Sequence, residues 1–190
     1  MKALRRGLGA LFVLALVALA AAAGFLALGL RTYERLTYEQ PVAELEFAAR
    51  GPQQYEATLT RLPGGPREQF VLAGDEWQLD ARVLKWRGYA NVLGLDARYR
   101  LERVSGRYRD IEQERHSVRS VFALGESSPV DLWALAEQYP RWLPFVDAVY
   151  GSATYLPMAA GARYEVTLAP SGLIARPQND AARAVSQPAR

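Results

Sequence analysis

The chain has 190 residues, with 23 Lys+Arg against 20 Asp+Glu, a single His and no Cys. The absence of Cys excludes disulfides, thiol chemistry, a Cys-based zinc site and a lipoprotein anchor. The net charge of +3 comes from Lys2, Arg5 and Arg6; the remainder carries equal numbers of acidic and basic residues. The body of the chain therefore lacks the electrostatic footprint of a nucleic-acid binder.

From Gly7 to Leu30 there is no charged residue. About 20 apolar residues cross a ~30 Å hydrocarbon core, so this run predicts a transmembrane helix over 7–30. The basic leader, residues 1–6, predicts a cytoplasmic N-terminus with everything after Arg31 exported. The competing reading is a cleaved signal peptide, because Ala20–Ala23 offers A-x-A patterns; the apolar run continues past them through Leu30, longer than a signal core of ~7–15 residues. Ala20 and Gly24 form a small-xxx-small pair, which an Ala-rich segment produces by chance. The expected place is a bacterial inner membrane, crossed once, with a periplasmic domain.

Residues 31–41 read as a polar stalk, with Tyr33 and Tyr38 suited to the membrane interface. From 42 to 177 the period changes to alternation, which predicts one β-rich domain. Leu45 and Phe47 share one face of a first strand, with Glu44 and Glu46 opposite. Tyr55, Ala57 and Leu59 mark a second, and Pro63-Gly64-Gly65-Pro66 turns it into a return strand through Phe70 and Leu72. A longer strand is expected at Glu76–Trp86, facing inward through Trp77, Leu79, Ala81 and Val83. Gly88–Gly94 reads as a turn, and Ala97–Val104 as another strand.

Residues 107–117 are polar, and Val118–Leu124 resumes a strand. Pro129 opens a helix over Val130–Tyr139, and Phe145–Tyr150 reads as a further short helical turn. Tyr164, Val166 and Leu168 mark a late strand, turned by Pro170-Ser171-Gly172 into Leu173–Arg176. The tail 178–190 is small and polar and is expected to be disordered. The fold class is α+β, mainly antiparallel β in a sandwich or partial barrel, with one or two short helices behind a single transmembrane helix.

No residue is assigned a catalytic, cofactor-binding or metal-ligating role. The nearest to a metal set is Asp110, Glu112, Glu114 and His116, which share one face if the segment is extended. Neighbours on that face stand roughly 7 Å apart, too far for all four to share an ion. The favoured reading is a solvated surface whose acids balance Arg103, Arg107, Arg109 and Arg115. His116 is the only histidine, and no G-x-S-x-G surrounds any Ser. Asp75, Glu76 and Asp80 hold carboxylates, but alternation puts Glu76 and Asp80 on an ordinary outward face. Among the many aromatics, Trp77, Tyr99 and Trp133 read as core, and Trp142–Met158 as the place to look for a contact surface.

Three stretches carry a resemblance: Gly74–Trp86, Asn91–Arg115 and Asp147–Met158. They resemble a small family of single-span inner-membrane proteins from Pseudomonas and related proteobacteria, often automatically labelled cation or multidrug efflux pump. The resemblance implies no site residues. A pump needs several spans around a path at the midplane, so it implies at most an accessory to an efflux system. The expected function is a non-catalytic, membrane-anchored interaction domain with an envelope protein partner and no cofactor. Its alternatives are that efflux accessory role and a carboxylate-based metal-binding or hydrolytic domain.

Overall fold

The computed structural model describes residues 2–86, 98–125 and 146–187, and it divides into two compact units, Met1–Tyr38 and Glu39–Arg190. The first unit is one helix, α1 (Lys2–Thr37). Its segment Leu11–Arg35 is long and apolar enough to cross a membrane, and its large side chains stand exposed, Leu14 at 66% and Phe25 at 76%. An N-terminal membrane anchor and an N-terminal signal sequence share this length and composition. Residues 31–37 of the expected stalk continue this helix. Only Tyr38 and Glu39 separate it from the first strand.

Among the described residues the second unit holds nine strands and two short helices. The strands are β1 (Gln40–Gly51), β2 (Gln54–Arg61), β3 (Arg67–Ala73), β4 (Glu76–Trp86), β5 (Arg98–Arg107), β6 (Val121–Ala123), β7 (Val146–Pro157), β8 (Arg163–Ala169) and β9 (Gly172–Pro177). The helices are α2 (Ile111–His116) and α3 (Asp180–Ser186). One sheet runs β3-β2-β1-β8-β9 and the other β6-β5-β4-β7, with every pairing antiparallel. This is the expected α+β, mainly antiparallel architecture.

Alternation determines which side chains meet. Leu45 and Phe47 of β1, Leu59 of β2, Trp77, Leu79 and Val83 of β4, and Tyr164 and Val166 of β8 are all buried in one cluster shared by both sheets. Each fully buried side chain of this kind contributes roughly 1.5–3 kcal/mol. Trp77 is the bridge, with its ring centroid 6.1 Å from Phe47 and 5.4 Å from Tyr164. Burial pushes the Tyr164 phenol pKa up, and its hydroxyl donates to the Pro157 carbonyl at 2.6 Å.

Two serines close the sides of the sandwich. The Ala73 N–H donates to Ser120 Oγ at 2.7 Å, and the Leu173 N–H donates to Ser152 Oγ at 2.8 Å. At the first seam Gly106 lies so close to the Ala73 carbonyl that a Cβ there would overlap it. The backbones can approach only because that side chain is missing.

The two ends of the sandwich differ. At the end where β1 begins, here called proximal, the Tyr99 hydroxyl donates to Leu62 O and that of Tyr150 to Pro170 O. Strands β4 and β6 run out toward this end, and β5 and β7 start from it. At the distal end the Gly74 N–H donates to Gln53 O, the Asp75 N–H to Arg107 O, and the Met158 N–H to Asp75 O, at 2.8–2.9 Å.

Three expectations need correction. Residues 111–116 are the helix α2, because the Asp110 carboxylate accepts the Gln113 N–H at 2.7 Å and caps its first turn. Val146–Tyr150 is the start of β7, paired to Val83–Trp86 of β4, because a free strand edge outcompetes a single helical turn. The tail forms α3, which Asn179 caps by accepting the Ala182 N–H and which Ala182 docks into the core with no exposure. The expected turn at Gly88–Gly94 and helix at Val130–Tyr139 lie outside the described residues.

Candidate functional site

The helix α2 disperses the acidic set singled out in the sequence. Alternate residues on a helix point some 200° apart instead of sharing a face. Asp110 is spent on the cap; Glu112 pairs with Arg115 at 2.8 Å. Glu114 accepts the Tyr108 N–H at 2.8 Å and meets Arg119 at 3.2 Å. His116 is largely exposed, with Nδ1 2.8 Å from the Glu112 carbonyl oxygen. Among the described residues no group of His, Asp and Glu is arranged to hold a metal ion.

The carboxylates of β4 are drawn into the distal end. One Asp75 oxygen accepts the Gln53 side-chain amide at 2.8 Å, and the other accepts the Arg109 N–H at 3.0 Å. Gln53, held at φ +50 in the tight turn after β1, also exchanges amide bonds with Gln113 of α2 at 2.7 and 3.2 Å. A non-glycine residue in the left-handed region costs roughly 1 kcal/mol, and these bonds hold it there. Glu76 takes Arg109 at 2.9 Å and Arg107 at 3.4 Å, and Asp80 takes Arg103 at 2.6 Å and Gln78 at 2.7 Å. The Glu76 and Asp80 side chains are only 12% and 13% exposed, more covered than an ordinary outward face. Guanidinium groups on each satisfy that burial.

Beside this network lies a groove of about 420 Å³, lined by Glu76, Arg109, Tyr155 and Pro157 with Val185 and Gln187 at the end of α3. Tyr155 of β7 is 53% exposed, and the Arg107 guanidinium sits 4.4 Å from its ring centroid. A cation on the aromatic face is worth about 0.5–1 kcal/mol at an exposed site and favours this ring position. The groove therefore presents an exposed aromatic face, guanidinium donors and a proline edge. Its carboxylate is neutralised by two arginines, so the arrangement suits contact with a surface better than proton transfer.

Trp77 is core, as its spacing predicts, and Tyr99 packs against that core. Trp133 and Trp142 lie outside the described residues. Of the stretch Trp142–Met158, the described side chains place Tyr155 outward and Met158 inward. Gln53 and the Arg107–Tyr155 pair escape sequence reasoning, because each depends on which strands become neighbours. The Gly51-Pro52 turn is the one local signal near Gln53.

Comparison with models of protein families, with curated proteins and with solved structures finds no match to this chain.

Proposed function

We propose that this chain is a single-span inner-membrane protein that carries a non-catalytic β-sandwich in the periplasm and works by docking another envelope protein at its distal end. The observation that carries the reading is Tyr155, exposed and clamped by Arg107 beside the groove. Tyr and Arg are the residue types that dominate protein–protein contacts when pre-ordered beside a pocket, because little rotamer freedom is lost on binding. Anchoring by α1 rests on the exposed apolar segment Leu11–Arg35, and its orientation on Lys2, Arg5 and Arg6 ahead of it.

The test is affinity purification of the tagged full chain from crosslinked membranes, followed by mass spectrometry. One envelope protein is expected to co-purify and to be lost with Tyr155→Ala or Arg107→Ala. Recovery of the chain alone, or of the same proteins from both variants, would sink the docking role.

A further inference from the structure

One acid and one cation line the groove beside Tyr155: Glu76 and Arg109. Both oxygens of the acid are engaged. Oε1 accepts the Arg109 Nε–H at 2.9 Å, and Oε2 lies 3.4 Å from Arg107 Nε. Two further acids of this end stand outside the lining. Asp75 has both oxygens bonded, to Gln53 and to the Arg109 N–H, and Asp180 of α3 pairs with Arg183 at 2.7 Å.

Arg109 is held at two points. Asp75 takes its backbone N–H at 3.0 Å, and Glu76 takes its Nε. The rest of the guanidinium is unspent. Among the described residues its two terminal nitrogens carry no hydrogen bond and meet no second carboxylate, and the side chain is 57% exposed. A guanidinium bonded through Nε alone keeps its terminal edge, Nη1 and Nη2, free for the two oxygens of another carboxylate. Around that edge the groove is walled by the Tyr155 ring and by Leu156, Pro157 and Val185. At about 420 Å³ it holds more than a single small ion.

We propose that the groove recognises an acidic side chain, Asp or Glu flanked by apolar residues, in an extended segment of the partner. This rests on the reading of the distal groove as a docking site. The Arg109 terminal N–H groups take the carboxylate, and Tyr155, Pro157 and Val185 take its apolar neighbours. Acidic motifs are met by arginine forks, whereas a chain terminus is captured by rows of backbone N–H groups. The charged donor here is a fork. Apolar walls also lower the local dielectric, which strengthens such a pair relative to one on an open surface.

Three peptides bearing an N-terminal photoreactive group serve as probes. They are Pro-Leu-Glu-Leu-Pro amide, the same amide with Gln for Glu, and the Gln peptide with a free C-terminal carboxylate. Each is irradiated with the full chain in detergent micelles, and the labelled segments are mapped by mass spectrometry. Labelling of 155–157 and 183–187 by the Glu peptide is expected to exceed that by the Gln amide about fivefold. The excess should vanish in about 1 M salt and in Arg109→Gln. Equal labelling by the Glu and Gln amides overturns carboxylate recognition, as does an excess that survives Arg109→Gln. Strongest labelling by the free-acid peptide would assign the groove to a chain terminus and also overturn it. The peptide comparison uses the unaltered chain, so a folding defect in Arg109→Gln does not mimic its result. Co-purification separates the two readings. An envelope protein still recovered, and lost with Tyr155→Ala, keeps the docking role when the peptides fail; loss of both results sinks both.

Discussion

At the distal end, Asp75 alone joins four segments: its backbone bonds Arg107 and Met158, and its carboxylate bonds Gln53 and the Arg109 N–H. At the proximal end, among the described residues, the corresponding ties are the Arg61 guanidinium donating to the Leu124 carbonyl at 2.6 Å and two phenol hydroxyls reaching carbonyls at 3.3 and 3.4 Å. The same strands thus end in a network that converges on Asp75 on one side and, among the described residues, in separate side-chain-to-carbonyl bonds on the other. A surface that must hold a partner's shape gains from the first arrangement.

Removing the shared core should loosen both ends together. Trp77→Ala is expected to cost about 3–5 kcal/mol in denaturant unfolding, because a fully buried bridge between the sheets leaves a cavity. Loss confined to one end, read as hydrogen exchange, would show that the sheets do not share one core. Asp75→Ala should cost about 1–3 kcal/mol through stranded distal donors, with exchange accelerated at Gly74 and the Arg109 amide and unchanged at the proximal end. Ser152→Ala removes the acceptor of the Leu173 N–H and should cost a similar or smaller amount, felt along the β7–β9 seam. Tyr150→Phe, which loses one long and exposed hydrogen bond, should change stability by less than about 1 kcal/mol. If Tyr150→Phe equals Asp75→Ala, the contrast between the ends fails.

The smallest effect is acid-dependent and belongs to the junction. The hydrogen bond from Arg176, then that from Thr167, holds the Glu39 carboxyl below its usual range. A depressed carboxylate stabilises the fold above its unfolded pKa and loses that contribution as pH falls through the lowered value. The acid limb below about pH 4.5 should therefore flatten slightly in Glu39→Gln, with neutral-pH stability a little reduced. An unchanged limb would show that the ion pair does not hold in solution.

The sandwich was largely legible. In β1 and β4, apolar residues alternate with charged ones, so burial of one face dictates both strand and register, and β4 has the expected bounds. Pro63–Pro66 left the β2–β3 chain no choice but to turn. The helix α2 was not read because residues 110–116 are polar at nearly every position, so no apolar period selects helix over strand. Its signal was Asp110 followed three residues later by Gln113, a capping pair. The helix α3 docks through one small residue, Ala182, too little to register as a face. The Tyr155 site was located only as a stretch. Its clamp comes from Arg107, 48 positions earlier in the sequence, and exists only because β5 and β7 both flank β4.

The most direct measurement places a photo-crosslinking amino acid at 187 or, separately, at 151 in the full chain, leaving Tyr155 in place, and irradiates intact cells. A discrete protein adduct from position 187 and none from 151 is the predicted result, since Gln187 lines the distal groove and Gly151 lies opposite Arg82, away from it. Silence at 187, or the same adducts from both positions, would contradict a distal docking site.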